Sequence, residues 1–142
     1  MTLNNHNKET TKNEVIGLGV DILEVKRIKD LIDKQGDKFL TRIFTPKEIN
    51  YCQSKKRALE SFAVRFSAKE AFIKAIESDY NIAYKSIEID KKKNKKPKVN
   101  LSGKALLAAK EKNVTDILIS LSHEKNYVTA NIILKGRIKW LY

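Results

Sequence analysis

The chain has 142 residues, 42% hydrophobic and 32% charged, a length and balance that suit one soluble globular domain and exclude two ordinary ones. No apolar run approaches the roughly 20 residues that span a bilayer; the single cysteine, Cys52, excludes an internal disulfide and any cysteine-based zinc site and points to a reducing cytoplasm. Lys plus Arg number 29 against 17 Asp plus Glu, and the formal charge of +12 raises encounter rates with a polyanion or an acidic protein without saying which.

Residues 1–14 are polar, lack the apolar stretch of a secretory signal, and read as a disordered extension that leaves 15–142 as the domain. Val15 to Val20 is an apolar run with two glycines, expected as a buried strand that feeds at Asp21 into a helix from about Ile22 to Lys34. Asp21 followed by Glu24 resembles a capping arrangement, and Gly36 is a plausible stop. Thr45 and Pro46 have the chemistry of an N-cap and a first helical residue, opening a short helix through about Gln53.

A long helix follows, from about Lys56 to Glu77. On its 3.6-residue period Leu59, Phe62, Ala63, Phe66, Ile73 and Ile76 fall on one side, a stripe that faces a core. Glu70 lies inside that stripe, one turn from both Phe66 and Lys74, while Arg65 and Lys69 form a ladder beside it. A carboxylate turned toward a core needs a partner. On helix geometry alone the ordinary account is a Glu70–Lys74 pair worth about a few tenths of a kcal/mol on a solvated face.

Beyond the long helix, Lys85 to Asp90 and Lys98 to Leu101 alternate as strands, joined by the lysine-rich tip Lys91 to Lys98. Ser102 to Lys112 reads as a helix with Ala105, Leu106 and Ala109 inward, and Asp116 to Ser122 with Tyr127 to Leu134 as a closing hairpin. The fold class is α+β, with no internal repeat and no linker long enough to divide it.

Three positions could carry chemistry: Asp21 at a strand end, Glu70 on the core-facing stripe, and His123 at the turn of SHEKNY. Two carboxylates converging from separate elements would make an oxygen-rich site for Mg²⁺, which keeps several waters and bridges to substrate phosphates; Arg65, Lys69 and Lys74 would then neutralise those phosphates. Each also has a plain structural account, Asp21 as an N-cap, His123 as a polar turn residue, the lysines as solubilising charges. Gly17-Leu18-Gly19 lacks the third glycine of a nucleotide-binding loop.

Together, GLGVDILEVKRI (Gly17 to Ile28) and FAVRFSAKEAFIKA (Phe62 to Ala75) resemble the paired signature of holo-acyl-carrier-protein synthases, the small bacterial 4′-phosphopantetheinyl transferases. The likeness extends over SIEIDKKKNKKPKVNLSGKA and ILISLSHEKNYVTANIIL. It implies an antiparallel sheet packed on a long central helix, in a single small domain that assembles as a homotrimer with interfacial active sites. It also implies transfer of the 4′-phosphopantetheine arm of coenzyme A to a serine of the acidic apo-acyl carrier protein, releasing adenosine 3′,5′-bisphosphate, in fatty acid biosynthesis. By that resemblance Asp21 and Glu70 bind Mg²⁺, and Lys74 holds the transferring phosphate. Either Glu70 or a metal-held water removes the serine proton. Arg65, Lys69, Lys74 and His123 line the coenzyme A site, and Arg27, helped by Lys26 and Lys29, docks the carrier.

Two features depart from the family pattern. ESDYNIAYKS, after the long helix, has no glycine, and Lys95 stands where the turn before Pro97 usually has one, which calls for another turn type. A basic nucleic-acid-binding module using Lys91 to Lys98 is the alternative from composition, but it explains neither Asp21 nor Glu70.

Overall fold

The computed structural model describes residues 11–92 and 94–139. Along the chain run β1 (Thr11–Glu24), α1 (Val25–Gln35), α2 (Asp37–Ile43), α3 (Pro46–Gln53), α4 (Ala58–Ile76), β2 (Ile87–Asp90), β3 (Lys98–Leu101), α5 (Gly103–Glu111), β4 (Val114–Glu124) and β5 (Tyr127–Lys139). The α+β class holds. An antiparallel sheet of order β1-β5-β4 packs one face on α4, and β2 and β3 form a separate two-stranded ribbon.

β1 is longer at both ends than its apolar run suggested. Thr11 to Glu14 pair with Lys139 to Gly136 of β5, so the last four residues assigned to a disordered extension are strand; residues 1–10 lie outside the described ones. At the other end the strand runs through Asp21 to Glu24 because alternation continues, with Leu23 buried and Ile22 turned out. Asp21 is therefore not a helix cap. The N-cap of α1 is Glu24, whose side chain caps nothing, and the strand ends where the Val25 amide donates to Asn126 O at 2.8 Å.

Gly36, at φ 57, closes α1 and immediately opens α2, a seven-residue helix too short to show a period in sequence. The Thr45–Pro46 signal holds in full: Thr45 and Glu48 form a reciprocal capping box at the start of α3. At the ribbon tip the left-handed residue is Asn94, at φ 61, which supplies the positive φ that Lys95 would disfavour. In α5 the inward residues are Ala105, Ala108 and Ala109, while Leu106 stays exposed.

α4 departs most from its simple stripe. From Phe62 to Lys69 every residue is buried, because the sheet covers one side and α1 and α3 the other. A helix enclosed on all sides shows little amphipathic contrast. Its first half belongs to an apolar cluster with Phe39, Phe44 and Leu40, its second to another with Ile87, Ile132 and Leu134; Leu59 and Ile73, expected inward, are only half-buried.

Candidate active site

Strand alternation puts Gly19, Asp21 and Leu23 of β1 on the side of α4, and Leu18, Val20 and Ile22 on the other. The two glycines bring this strand against the helix. A Cβ on Gly17 would stand 2.3 Å from Ala75 O, and one on Gly19 1.8 Å from Ala71 O, so neither position admits a side chain. The glycines serve close packing of backbones, and the alanines of α4 supply the flat surface they meet.

That approach delivers the Asp21 carboxylate to a polar row on α4. Ser67 Oγ donates to Asp21 Oδ2 at 2.8 Å, and Lys74 Nζ donates to Oδ1 at 3.0 Å and to Val20 O at 3.1 Å. Lys74 thus pairs with Asp21 and not, as the ordinary helical account had it, with Glu70. Ser67, Glu70 and Lys74 are spaced three and four apart, on one face of the helix, so a helix that grips Asp21 at Ser67 and Lys74 carries Glu70 between them. Asp21 is 14% exposed and Lys74 54%, which leaves the ammonium reachable by a ligand.

The partner that a half-buried Glu70 requires is Tyr84, whose hydroxyl donates to Oε1 at 2.6 Å. The Tyr84 ring stacks on Phe66, with centroids 5.4 Å apart and planes at 27°. Burial, and then the hydrogen bond to Glu70, pushes the phenol up to about 12, so at neutral pH it is a donor. The negative charge of Asp21 adds to that rise and the positive charge of Arg27 on α1 opposes it; Arg27 itself is exposed. Its neighbours Lys26 and Lys29 pair along the exposed helix with Asp30 at 3.5 Å and Asp33 at 2.6 Å.

The donors gathered here are hard oxygens. Among the described residues no group of three or more His, Cys, Asp or Glu side chains could hold a metal ion, so the protein offers two carboxylates and a hydroxyl. That set is thin for Ca²⁺ but fits Mg²⁺, which is commonly held by one or two carboxylates with waters and substrate phosphates.

Arg65 and His123 are brought together in a second recess of about 300 Å³, with Tyr51, Lys55, Arg57 and Lys91. The Arg65 guanidinium lies over the Tyr51 ring at 4.4 Å and donates through Nη1 to Ser61 Oγ at 2.8 Å. Among the described residues its buried Nε and Nη2 have no hydrogen-bond partner. Glu60 lines the same recess and faces Arg57 at 3.5 Å, but the cations outnumber it, and unpaired buried donors among them suit an anion. His123 lies on β4, not in the turn, with Nδ1 3.7 Å from Glu60 Oε2.

Lys69 is placed elsewhere. Its ammonium is fully buried and donates to Glu48 Oε1 at 2.8 Å, Ile87 O at 2.6 Å and Tyr84 O at 3.0 Å. Burial lowers its pKa, and Glu48 opposes that shift. The expectation that Lys69 lines a cofactor pocket is corrected: the neighbouring strand and helix offer it three acceptors indoors. Two site residues were overlooked in sequence. Ser67 was findable, three residues before Glu70 on its face; Tyr84, in a turn after the helix, gave no periodic signal.

A family model described as the 4′-phosphopantetheinyl transferase superfamily matches residues 17–131. The chain is 40% identical over 118 residues to a holo-[acyl-carrier-protein] synthase of Halothermothrix orenii, covering 82% of this chain and 94% of that one. Its structure resembles the holo-[acyl-carrier-protein] synthase of Neisseria meningitidis, with TM-score 0.77, 31% identity and 85% and 98% of the two chains covered. It also resembles that of Helicobacter pylori, solved in complex with coenzyme A, with TM-score 0.71, 28% identity and 82% and 98% covered.

Proposed function

This chain belongs to the 4′-phosphopantetheinyl transferase superfamily, and from that premise we propose that it transfers the 4′-phosphopantetheine group of coenzyme A to a serine hydroxyl of apo-acyl carrier protein in fatty acid biosynthesis. The serine oxygen gives up its proton to Glu70 or to a water and forms a new bond to the phosphorus that carries pantetheine, the bond to the nucleotide phosphate breaks, and adenosine 3′,5′-bisphosphate leaves. The observation that carries this reading is the convergence of Asp21 from β1 with Ser67, Glu70 and Lys74 from α4.

Asp21 and Glu70 would hold Mg²⁺, which when bound supplies positive charge against the pyrophosphate. Ser67 fixes the Asp21 carboxylate. Lys74, now on Asp21 but over half exposed, turns to the transferring phosphate and offsets charge developing there. The orphaned Arg65 donors, His123 and Lys91 take phosphate groups of the nucleotide end; this gives the base of the lysine-rich tip a role without nucleic acid. Arg27, with Lys26 and Lys29, meets the acidic carrier.

The outer face of the sheet supports a homotrimer with interfacial sites. Leu18 and Ile22 are 62% and 67% exposed, and Leu18 aligns through Ile133 with the exposed Leu118, an apolar row that a second copy would cover. A fully buried Cys52 thiol suits a reducing cytoplasm. Among the described residues no helix is long and apolar enough to cross a membrane.

Purified protein given Mg²⁺ and coenzyme A is expected to raise the mass of apo-carrier protein by one phosphopantetheine. An unchanged mass would overturn the reading. Binding that falls with salt and ignores both Mg²⁺ and coenzyme A would instead favour a polyanion module.

A further inference from the structure

We propose that Tyr84 is a positioning residue: its hydroxyl claims one carboxylate oxygen of Glu70 and thereby fixes the orientation in which the other is presented to the substrate. The inference rests on the transferase reading above and adds a residue outside both sequence motifs.

Three observations carry it. The Tyr84–Glu70 bond is short, 2.6 Å, and Glu70 accepts no other hydrogen bond among the described residues, so this contact alone sets the carboxylate's rotation. The donor is itself immobilised, since its ring stacks on Phe66, one helical turn before Glu70 on the same face. Its backbone is tied down as well, because Tyr84 O accepts from Lys69 Nζ, which Glu48 and Ile87 O hold from the other side. A line of contacts thus runs from Glu48 through Lys69 and the Tyr84 peptide to the Glu70 carboxylate. It gives the buried lysine a part in shaping the site without touching substrate, and it ties the far end of a segment with no glycine, Glu77 to Ser86, back to the middle of α4. Groups that orient a ligating carboxylate commonly matter by 10–100-fold in metal affinity or activity.

Tyr84→Phe keeps the ring stack and removes only the donor. The probe is Mn²⁺, its binding to the protein–coenzyme A complex followed by loss of the free-ion EPR signal, beside steady-state transfer assays and thermal melts. Tyr84→Phe is expected to bind Mn²⁺ about tenfold more weakly and to lower kcat about tenfold, with KM for the carrier and Tm little changed. In a Glu70→Ala background the same change is expected to leave Mn²⁺ affinity where it was. Wild-type Mn²⁺ affinity in Tyr84→Phe overturns the proposal, as does an equal loss in the Glu70→Ala background or a fall in Tm with affinity intact. If Glu70→Ala itself keeps full Mn²⁺ binding and turnover, the two-carboxylate reading beneath the proposal is what fails.

Discussion

Gly19 and Ala71 meet backbone to backbone: a Cβ on the glycine would stand 1.8 Å from the alanine's carbonyl oxygen. Asp21 is two residues further along the same strand, so the separation of Asp21 from the Ser67–Glu70–Lys74 row is set by a contact that no side chain can enter. Gly19→Ala must push strand from helix, at a cost at or above the roughly 1–3 kcal/mol usual for overpacking. The expected result is a Tm lower by about 10 °C, with turnover lost even in protein that remains folded. A Tm within a degree or two of wild type would show that the strand and helix are not this close.

Lys69→Met leaves the Glu48 carboxylate buried without its charge partner, a loss of about 3–5 kcal/mol. Urea unfolding is expected to show a much lower midpoint, and removing the orphaned charge as well, in Lys69→Met/Glu48→Gln, to recover part of it. In folded protein the KM for coenzyme A should stay near wild type. A large rise in that KM with stability intact would return Lys69 to the cofactor pocket.

Arg27→Ala acts through encounter. The residue is exposed on α1, so stability and kcat are expected to hold while KM for carrier protein rises about tenfold at low ionic strength, a difference that shrinks above about 0.5 M salt. An unchanged KM at low salt would remove Arg27 from carrier docking.

Acid sensitivity has a local contributor at the start of α3. Lys47 donates to Asp90 at 3.1 Å, and that hydrogen bond holds the Asp90 carboxyl below its ordinary value. The folded pKa therefore lies under the unfolded one of about 3.9, so the stabilisation is complete above that pH and is lost as pH falls through the folded value. Asp90→Asn is expected to melt about 2–4 °C below wild type at pH 7, and the gap to begin closing once pH drops below about 4. A gap that persists unchanged at pH 2.5 would assign the difference to something other than this carboxylate.

Much of this was legible beforehand because local signals and tertiary demands agreed. Thr45 and Pro46 announce a helix start and, with Glu48, form its capping box, Gly36 stops its helix, and β2 and β3 alternate as strands do. Asp21 misled as a cap because Asp before an apolar run is chemically a cap, whereas pairing with Ala130 on β5 keeps it extended. Periodicity fails for α4 for a different reason, since from Phe62 to Lys69 the helix is covered on both sides and has no outward face to display. Lys69 was misplaced on that account: spacing puts it beside Arg65 but cannot say that Glu48 and two carbonyls await it inside. Tyr84 was invisible because its role depends on where a turn returns to the helix, and no local pattern records that.

α4 is the wall shared by two apolar clusters, Phe62 to Phe66 in one and Ala68 to Ile76 in the other, and the buried Ser67 hydroxyl sits where they join. Neither half can melt and leave the other with a complete lining, so heat should dissolve them as one unit in a single calorimetric peak. A substrate seated over Ser67, Glu70 and Lys74 straddles that joint. Its binding energy then reports on the entire domain, and saturating ligand should move the whole transition upward without splitting it.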